Sequence, residues 1–379
     1  MEPETQPLAP EPVNPGTEAL PGDGPAPLTP TGWTRVLRCL QWVFFGPQGL
    51  RAGWSIGLFG ALTVPCAFIA GFLLSQFHLL DEKGHSTASA ALFGELVAFL
   101  AILAAAAVVA LIERRRNLLA FNLTGPRSLS HFLGGLAAGF AALSALILAM
   151  TWGGWMRFGH VALSGNEILR FGALWACAFL LVGCVEEGIF RGYLQFTLTR
   201  GINFWWALSI EVAISLRLIL HAKGNGVWGV YMMALLGLLP CLWLHLKKHP
   251  ESGFWQAAWV TSTLFGFIHT GNNGENWVGI FAAAFIGLVF CVSVRLTGTA
   301  WWAIGCHATW DWSETYFYGA ADSGMAAKGN LFTTIPVGNP LFSGGADGPE
   351  GSLLVLGVIL LLLVALFVLY GRNRLQAIS

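Results

Sequence analysis

Charge is what this chain has least of. Only 11% of its 379 residues are Asp, Glu, Lys or Arg, against about 25% in soluble domains. So few charges cannot cover a surface that is mostly wet. The 20 basic and 20 acidic residues cancel. The Lys and Arg fall near the ends of apolar runs and form no stripe, which excludes nucleic acid as a partner. The seven cysteines include no CxxC pair. Most lie inside apolar runs and read as small apolar fillers rather than a disulfide framework or a zinc knuckle. A His-Glu-x-x-His zincin motif is missing, and so is any repeat of solenoid or transporter period. Residues 1–33 lack an apolar face and are rich in Pro, Glu, Thr and Gly. They read as a disordered cytoplasmic tail, without the basic start and apolar core of a signal peptide.

What the chain does have is apolar length. A spanning helix needs roughly 20 mainly apolar residues. Candidates occupy 54–80, 91–112, 132–152, 171–198, 204–220, 227–246, 254–268, 277–294, 300–318 and 353–370. The fold class expected for residues 34–379 is therefore all-α: a polytopic transmembrane bundle of about ten helices, with eight to ten compatible with the pattern. Arg35, Arg38, Arg51, Arg114 to Arg116, Arg200, Lys247, Lys248, Arg295, Arg372 and Arg374 fall on alternate sides of a ten-helix count. This puts both termini in the cytoplasm. The acidic Asp81-Glu82 and 322–350 loops then lie outside. Many of the 17 Trp cluster near helix ends, as interfacial belts do. Gly135-x-x-x-Gly139 reads as a close helix-packing face.

Charges inside a membrane span are costly and face a cavity or a partner. Three groups stand out. In the fourth apolar run, Glu187 and Arg191 are four apart and share a helical face, so they can pair. Glu186 points about 100° away and has no local cation. Near the end of the seventh run, Phe265 and His269 share a face. In the ninth, His307 and Asp311 do the same, and an Asp so placed can fix the tautomer of the His. Each pair alone also suits a satisfied structural contact. Three such groups in one chain point to a site. Glu211 and Arg217 are six apart, off a common face, and read as pairing with other helices or lining a cavity.

Glu-Glu-x-x-x-Arg, then Phe-x-x-x-His, then His-x-x-x-Asn/Asp, in that order on separate membrane helices, resembles the CPBP (Abi) family. This is the family of CAAX prenyl proteases and bacteriocin-processing or immunity proteins. The resemblance spans roughly 171–312, with a CPBP-like core taken as 171–318. The 297–307 approach to the last motif and the glycine-rich stretch 343–352 resemble family features too. The resemblance implies Glu186 as the base that activates water, His269 as its partner, and His307 with Asp311 stabilising the oxyanion. Glu187 and Arg191, with Phe265, would support them. The family often has Asn where Asp311 stands, so Asp311 can instead orient His307. The first two motifs are farther apart than the family's spacing, and 204–252 is expected to form an extra helical hairpin.

The family is commonly described as one of metalloproteases, while a metal-free glutamate mechanism is also proposed for it. Glu186, His269 and His307 could hold zinc with an open position, or serve as base, partner and oxyanion donor; no cofactor is required by the residues. The expected activity is intramembrane hydrolysis of a peptide or protein substrate, lipid-modified or not. A proton-coupled transporter, and a non-catalytic scaffold or immunity protein, are the alternatives on the same fold.

Overall fold

The computed structural model describes residues 32–46, 49–76, 87–113, 117–221, 226–272 and 274–371. Most of the tail, the Asp81-Glu82 loop, Arg114 to Arg116, and Arg372 with Arg374 lie outside the described residues.

Two compact units divide the chain at residue 46. In the first, helix α1 (Gly32–Phe44) was not foreseen, and Gly32 and Trp33, counted with the tail, begin it. Its 13 residues are too few to span a bilayer. Trp33, Val36, Leu37 and Leu40 recur at helical spacing and are exposed, a pattern found in helices that lie in a membrane interface.

The second unit is a helical bundle. It runs through α2 (Ala52–Gln76), α3 (Ala88–Ile112), α4 (Ser128–Trp152), strand β1 (Met156–Val161) and α5 (Asn166–Glu187). A π-helical segment, Gly188–Leu194, joins α5 to α6 (Gln195–Gly201). Then come α7 (Phe204–His221), α8 (Gly226–Leu246), α9 (Ser252–Ile268), α10 (Trp277–Thr297) and α11 (Trp301–Asp311). A second π-helical segment, Trp312–Tyr318, follows α11. Strand β2 (Phe332–Pro336), the short α12 (Pro340–Ser343) and α13 (Leu353–Tyr370) complete the unit. Each apolar run of the sequence thus holds a helix. Among the described residues, α3, α4, the continuous Asn166–Gly201 helix, α10 and α13 are long and apolar enough to cross a membrane. The chain is a multi-pass helical membrane protein.

Local chemistry sets the helix boundaries. Thr87 accepts a hydrogen bond from the Ala90 amide and starts α3, Asn276 accepts from Val278 and starts α10, and Ser352 starts α13. Gly298, at φ +79°, ends α10 in the left-handed conformation. The core packs α4, α10, α11 and α13 through Leu143, Leu146, Ile147, Met150, Phe290, Trp302, Cys306, Ile359 and Leu366. Outward faces stay apolar, as Leu148, Trp152, Leu361, Val368 and Leu369 illustrate. A lipid-facing surface requires this.

The Gly135–Gly139 face does pack closely, against α11. A Cβ on Gly135 would lie 2.9 Å from the Cys306 amide nitrogen, and one on Gly305 would lie 2.9 Å from that of Leu136. Only glycine lets the two backbones approach so nearly. Thr309 Oγ1 then donates to the Leu136 carbonyl across the gap, at 2.8 Å. Helices α7 and α8 occupy the inserted stretch and pack on each other and on α9. Strands β1 and β2 pair antiparallel, with Met156 opposite Pro336.

Candidate active site

The three polar groups meet at one cavity of about 280 Å³, lined in part by Glu186, Phe265, His269, His307 and Asp311. Helix α11 brings His307 there because its backbone is locked to α4 by the glycine contacts. Helix α5 brings Glu186 and Glu187. It is tied to the segment after α11 by Trp312 Nε1 donating to the Gly172 carbonyl at 3.0 Å and Tyr316 Oη donating to that of Ile168 at 2.7 Å. The two π-helical segments begin directly after Glu187 and Asp311. Such wide turns are uncommon and concentrate at functional sites.

Glu187 and Arg191 pair as their spacing predicts: Arg191 Nε lies 3.1 Å from Glu187 Oε2, and both side chains are fully buried. The guanidinium lies 4.5 Å from the centroid of the Phe265 ring and 5.4 Å from that of Phe290. These π faces help to replace the water it has lost. The pair has a further partner that spacing does not reveal. His307 Nδ1 donates to Glu187 Oε1 at 2.8 Å, which fixes the ring's orientation and leaves Nε2 facing the cavity. There Nε2 lies 3.4 Å from Asp311 Oδ2 and 3.9 Å from Glu186 Oε2. Glu186, one-third exposed, is the most open of these carboxylates, while Asp311 is 9% exposed and Glu187 not at all.

His269 enters from the end of α9. Its Nδ1 donates to the Phe265 carbonyl at 2.7 Å and its ring lies 4.7 Å from that of Phe265. Phe265 meets the His307 ring edge-on at 6.1 Å. It therefore acts as a wedge between the two imidazoles and beneath the arginine. His269 Nε2 is left for a ligand in the cavity.

By residue type, Glu186, His269 and His307 could hold zinc. Among the described residues, the group of acidic or metal-ligating side chains whose donor atoms all approach within 4.8 Å is Glu314, Asp322 and Glu350. Glu186, His269 and His307 do not form such a group. The side chains as they stand are not gathered for a metal, and no step below is routed through one.

Several cavity residues escaped the sequence reading. Glu95, in α3, lines the same cavity; it stands alone in an apolar run, the same signal that marked Glu186. Glu275, Asp322 and Glu350 line its loop end. Burial pushes the Asp322 carboxyl up to about 7, and Glu350 adds to the rise. Asp347, on the glycine-rich stretch, is raised to about 7 by burial and by Glu350. Glu275 is raised to about 9 by burial and by Asp347. Away from this cavity, Glu211 is fully buried, and an added Cβ on Gly237 would come 2.6 Å from its Oε2.

Comparison with protein families matches residues 241–313 to the family described as type II CAAX prenyl endopeptidase Rce1-like. The match agrees with the CPBP resemblance. It includes Phe265, His269, His307 and Asp311, and leaves Glu186, Glu187 and Arg191 outside. It supports a membrane endopeptidase at the level of the family. No curated protein and no solved structure matches the chain.

Proposed function

We propose that the chain is an intramembrane endopeptidase in which Glu186 activates the water that cleaves a peptide bond. The observation that carries the reading is the meeting of Glu186, His269, His307 and Asp311 on one cavity, from motifs up to 125 positions apart in the chain.

The chemistry follows from the positions. Water entering the cavity meets Glu186, the most open carboxylate, which takes a proton as the water oxygen bonds to the peptide carbonyl carbon. The carbonyl oxygen becomes an oxyanion. His307 Nε2–H, held in place by Glu187 at the far side of the ring, donates to it in surroundings where little water competes. His269 Nε2 positions the water or the peptide. The carbon–nitrogen bond then breaks, and the proton held by Glu186 passes to the departing amine. Asp311 holds His307 Nε2 before substrate arrives, and Arg191 holds the Glu187 carboxyl in place so that the Glu187–His307 bond persists. The CPBP-like core, residues 171–318, carries these groups, and α7 with α8 is an inserted hairpin beside it. The substrate is a peptide segment at the membrane. The distribution of basic residues along the sequence supports an orientation with both termini in the cytoplasm.

The test is cleavage of membrane peptides by the purified chain in proteoliposomes. Glu186→Gln removes the base and keeps the shape, so turnover is expected to fall at least about a hundredfold with the fold intact. Undiminished cleavage by that variant would overturn the assignment.

A further inference from the structure

Three carboxylates that the hydrolytic reading does not use come together at the loop end of the cavity. Glu314 lies in the π-helical segment after α11, Asp322 in the turn that follows, and Glu350 in the glycine-rich stretch before α13. One oxygen from each lies within 4.8 Å of the others. The backbone is shaped to bring them there. Gly348 has φ +108°, and a Cβ on it would lie 3.5 Å from Glu314 Oε1 and clash with the Ala321 carbonyl. Glycine is therefore required for the loop to close over Glu314.

Two of the three are aimed by donors. Trp310 Nε1 donates to Glu350 Oε1 at 2.8 Å, Ser323 Oγ to Glu350 Oε2 at 3.0 Å, and Thr315 Oγ1 to Asp322 Oδ2 at 3.0 Å. Outer-shell donors hold metal-binding carboxylates in this way. Glu314 differs. Its side chain is fully buried, and among the described residues neither of its carboxylate oxygens has a hydrogen-bond partner. A carboxylate removed from water without a donor calls for a positive charge or a proton.

With two further carboxylates gathered beside it, a cation answers all three at once, and the donor set narrows which. It is all oxygen, without His or Cys, and so suits a hard cation and not zinc. Calcium holds its ligands at about 2.3–2.6 Å, so ligand oxygens lie at most about 5 Å apart across the ion. The three oxygens lie within 4.8 Å of one another, inside that limit. Magnesium keeps several waters and usually takes one or two carboxylates, fewer than the three gathered here.

We propose that Glu314, Asp322 and Glu350 form a binding site for a calcium-class divalent cation that ties the glycine-rich stretch to the end of α11. The site does not depend on the hydrolytic reading, since it shares no residue with that chemistry. Asp322 and Glu350 also line the cavity. An ion held by them would set both the shape and the negative charge of the cavity's loop end.

The experiment uses the full chain in detergent, stripped of metal, with terbium as the probe and calcium as its competitor. Trp310 donates to a ligand carboxylate, so indole-sensitised terbium emission is expected, and calcium should displace it. Calcium should also raise the unfolding temperature more than magnesium does at equal concentration. Asp322→Asn, Glu350→Gln and the isosteric Glu314→Gln should each weaken calcium at least about tenfold. Absence of displaceable emission and of any calcium-dependent rise in unfolding temperature at millimolar calcium would overturn the site. So would calcium binding left unchanged in Glu314→Gln and Asp322→Asn. If these variants do not fold, the calcium-over-magnesium difference in the wild-type chain decides: a clear difference supports the site, and none overturns it.

Discussion

The two ends of the cavity handle buried charge in opposite ways. Around Glu187 each charge has a counterpart: Arg191 at 3.1 Å, the His307 ring at 2.8 Å, and aromatic faces around the guanidinium. Around Glu314 the neighbours are other carboxylates, and its two oxygens are unmatched among the described residues. One end has its counter-charge within the protein and can hold a ring in a single orientation. The other is incomplete and invites an ion or protons from outside. Removing a charge should therefore harm the first end and relieve the second.

The largest expected effect comes from breaking the matched end. Arg191→Met leaves the fully buried Glu187 without its cation, a kind of change that costs about 3–5 kcal/mol. Thermal unfolding in detergent would show it as a steep loss of stability. Combining it with Glu187→Gln removes the stranded charge and should recover much of that loss, because replacing both members of a buried pair is often near neutral. At the other end, Glu314→Gln in ion-free protein should leave stability unchanged or higher. Equal damage from Arg191→Met and Glu314→Gln would erase the contrast between the two ends.

The next effect tests Asp311, which lies between the two ends. Asp311→Ala removes the group 3.4 Å from His307 Nε2. Under the proposed chemistry, turnover should fall up to about 10²–10³-fold, the usual loss when an oxyanion donor is misplaced, because His307 loses the group that holds its Nε2. Asp311→Asn keeps a polar group of the same shape and, in the resembled family, is often the native residue. It should retain most of the activity. If Asn and Ala are equally damaging, it is the negative charge of Asp311, and not its shape, that holds His307.

How much of this could be read from the chain depended on distance along it. Apolar runs of spanning length became helices, because in a bilayer the backbone must satisfy itself within the segment. Glu187–Arg191 and His307–Asp311 were legible because residues four apart share a helical face. The Glu187–His307 bond joins residues 120 positions apart and no local spacing announces it. The Glu314, Asp322 and Glu350 group is spread over a π-helical segment, a turn and a glycine-rich loop, where neither the 3.6-residue nor the 2-residue period applies. Helix α1 was missed for another reason: at 13 residues it fails a length test meant for spans, and only its apolar spacing marks it. Glu95 was legible and was passed over.

The smallest expected effect is a pH dependence at the loop end, and its sign is informative. Glu275 and Asp347 face each other near the start of α10. Asn272 donates to Glu275 at 3.3 Å, Asn276 donates to Asp347 at 3.1 Å, and Glu350 acts on both carboxyls. Burial raises Glu275 to about 9 and Asp347 to about 7; Asp347 adds to the rise of Glu275, while the hydrogen bond from Glu275 moderates that of Asp347. In the unfolded chain both would titrate near 4. Between those limits the folded protein holds more protons than the unfolded one, so stability must fall as pH rises. A carboxylate matched to a cation would give the opposite slope. The unfolding temperature of ion-free protein is thus expected to drop by a few degrees between pH 5 and pH 9, and Glu275→Gln should flatten that drop. A rising curve, or an unaltered slope in the variant, would mean that these carboxylates are compensated after all, and the contrast between the two ends would have to be redrawn.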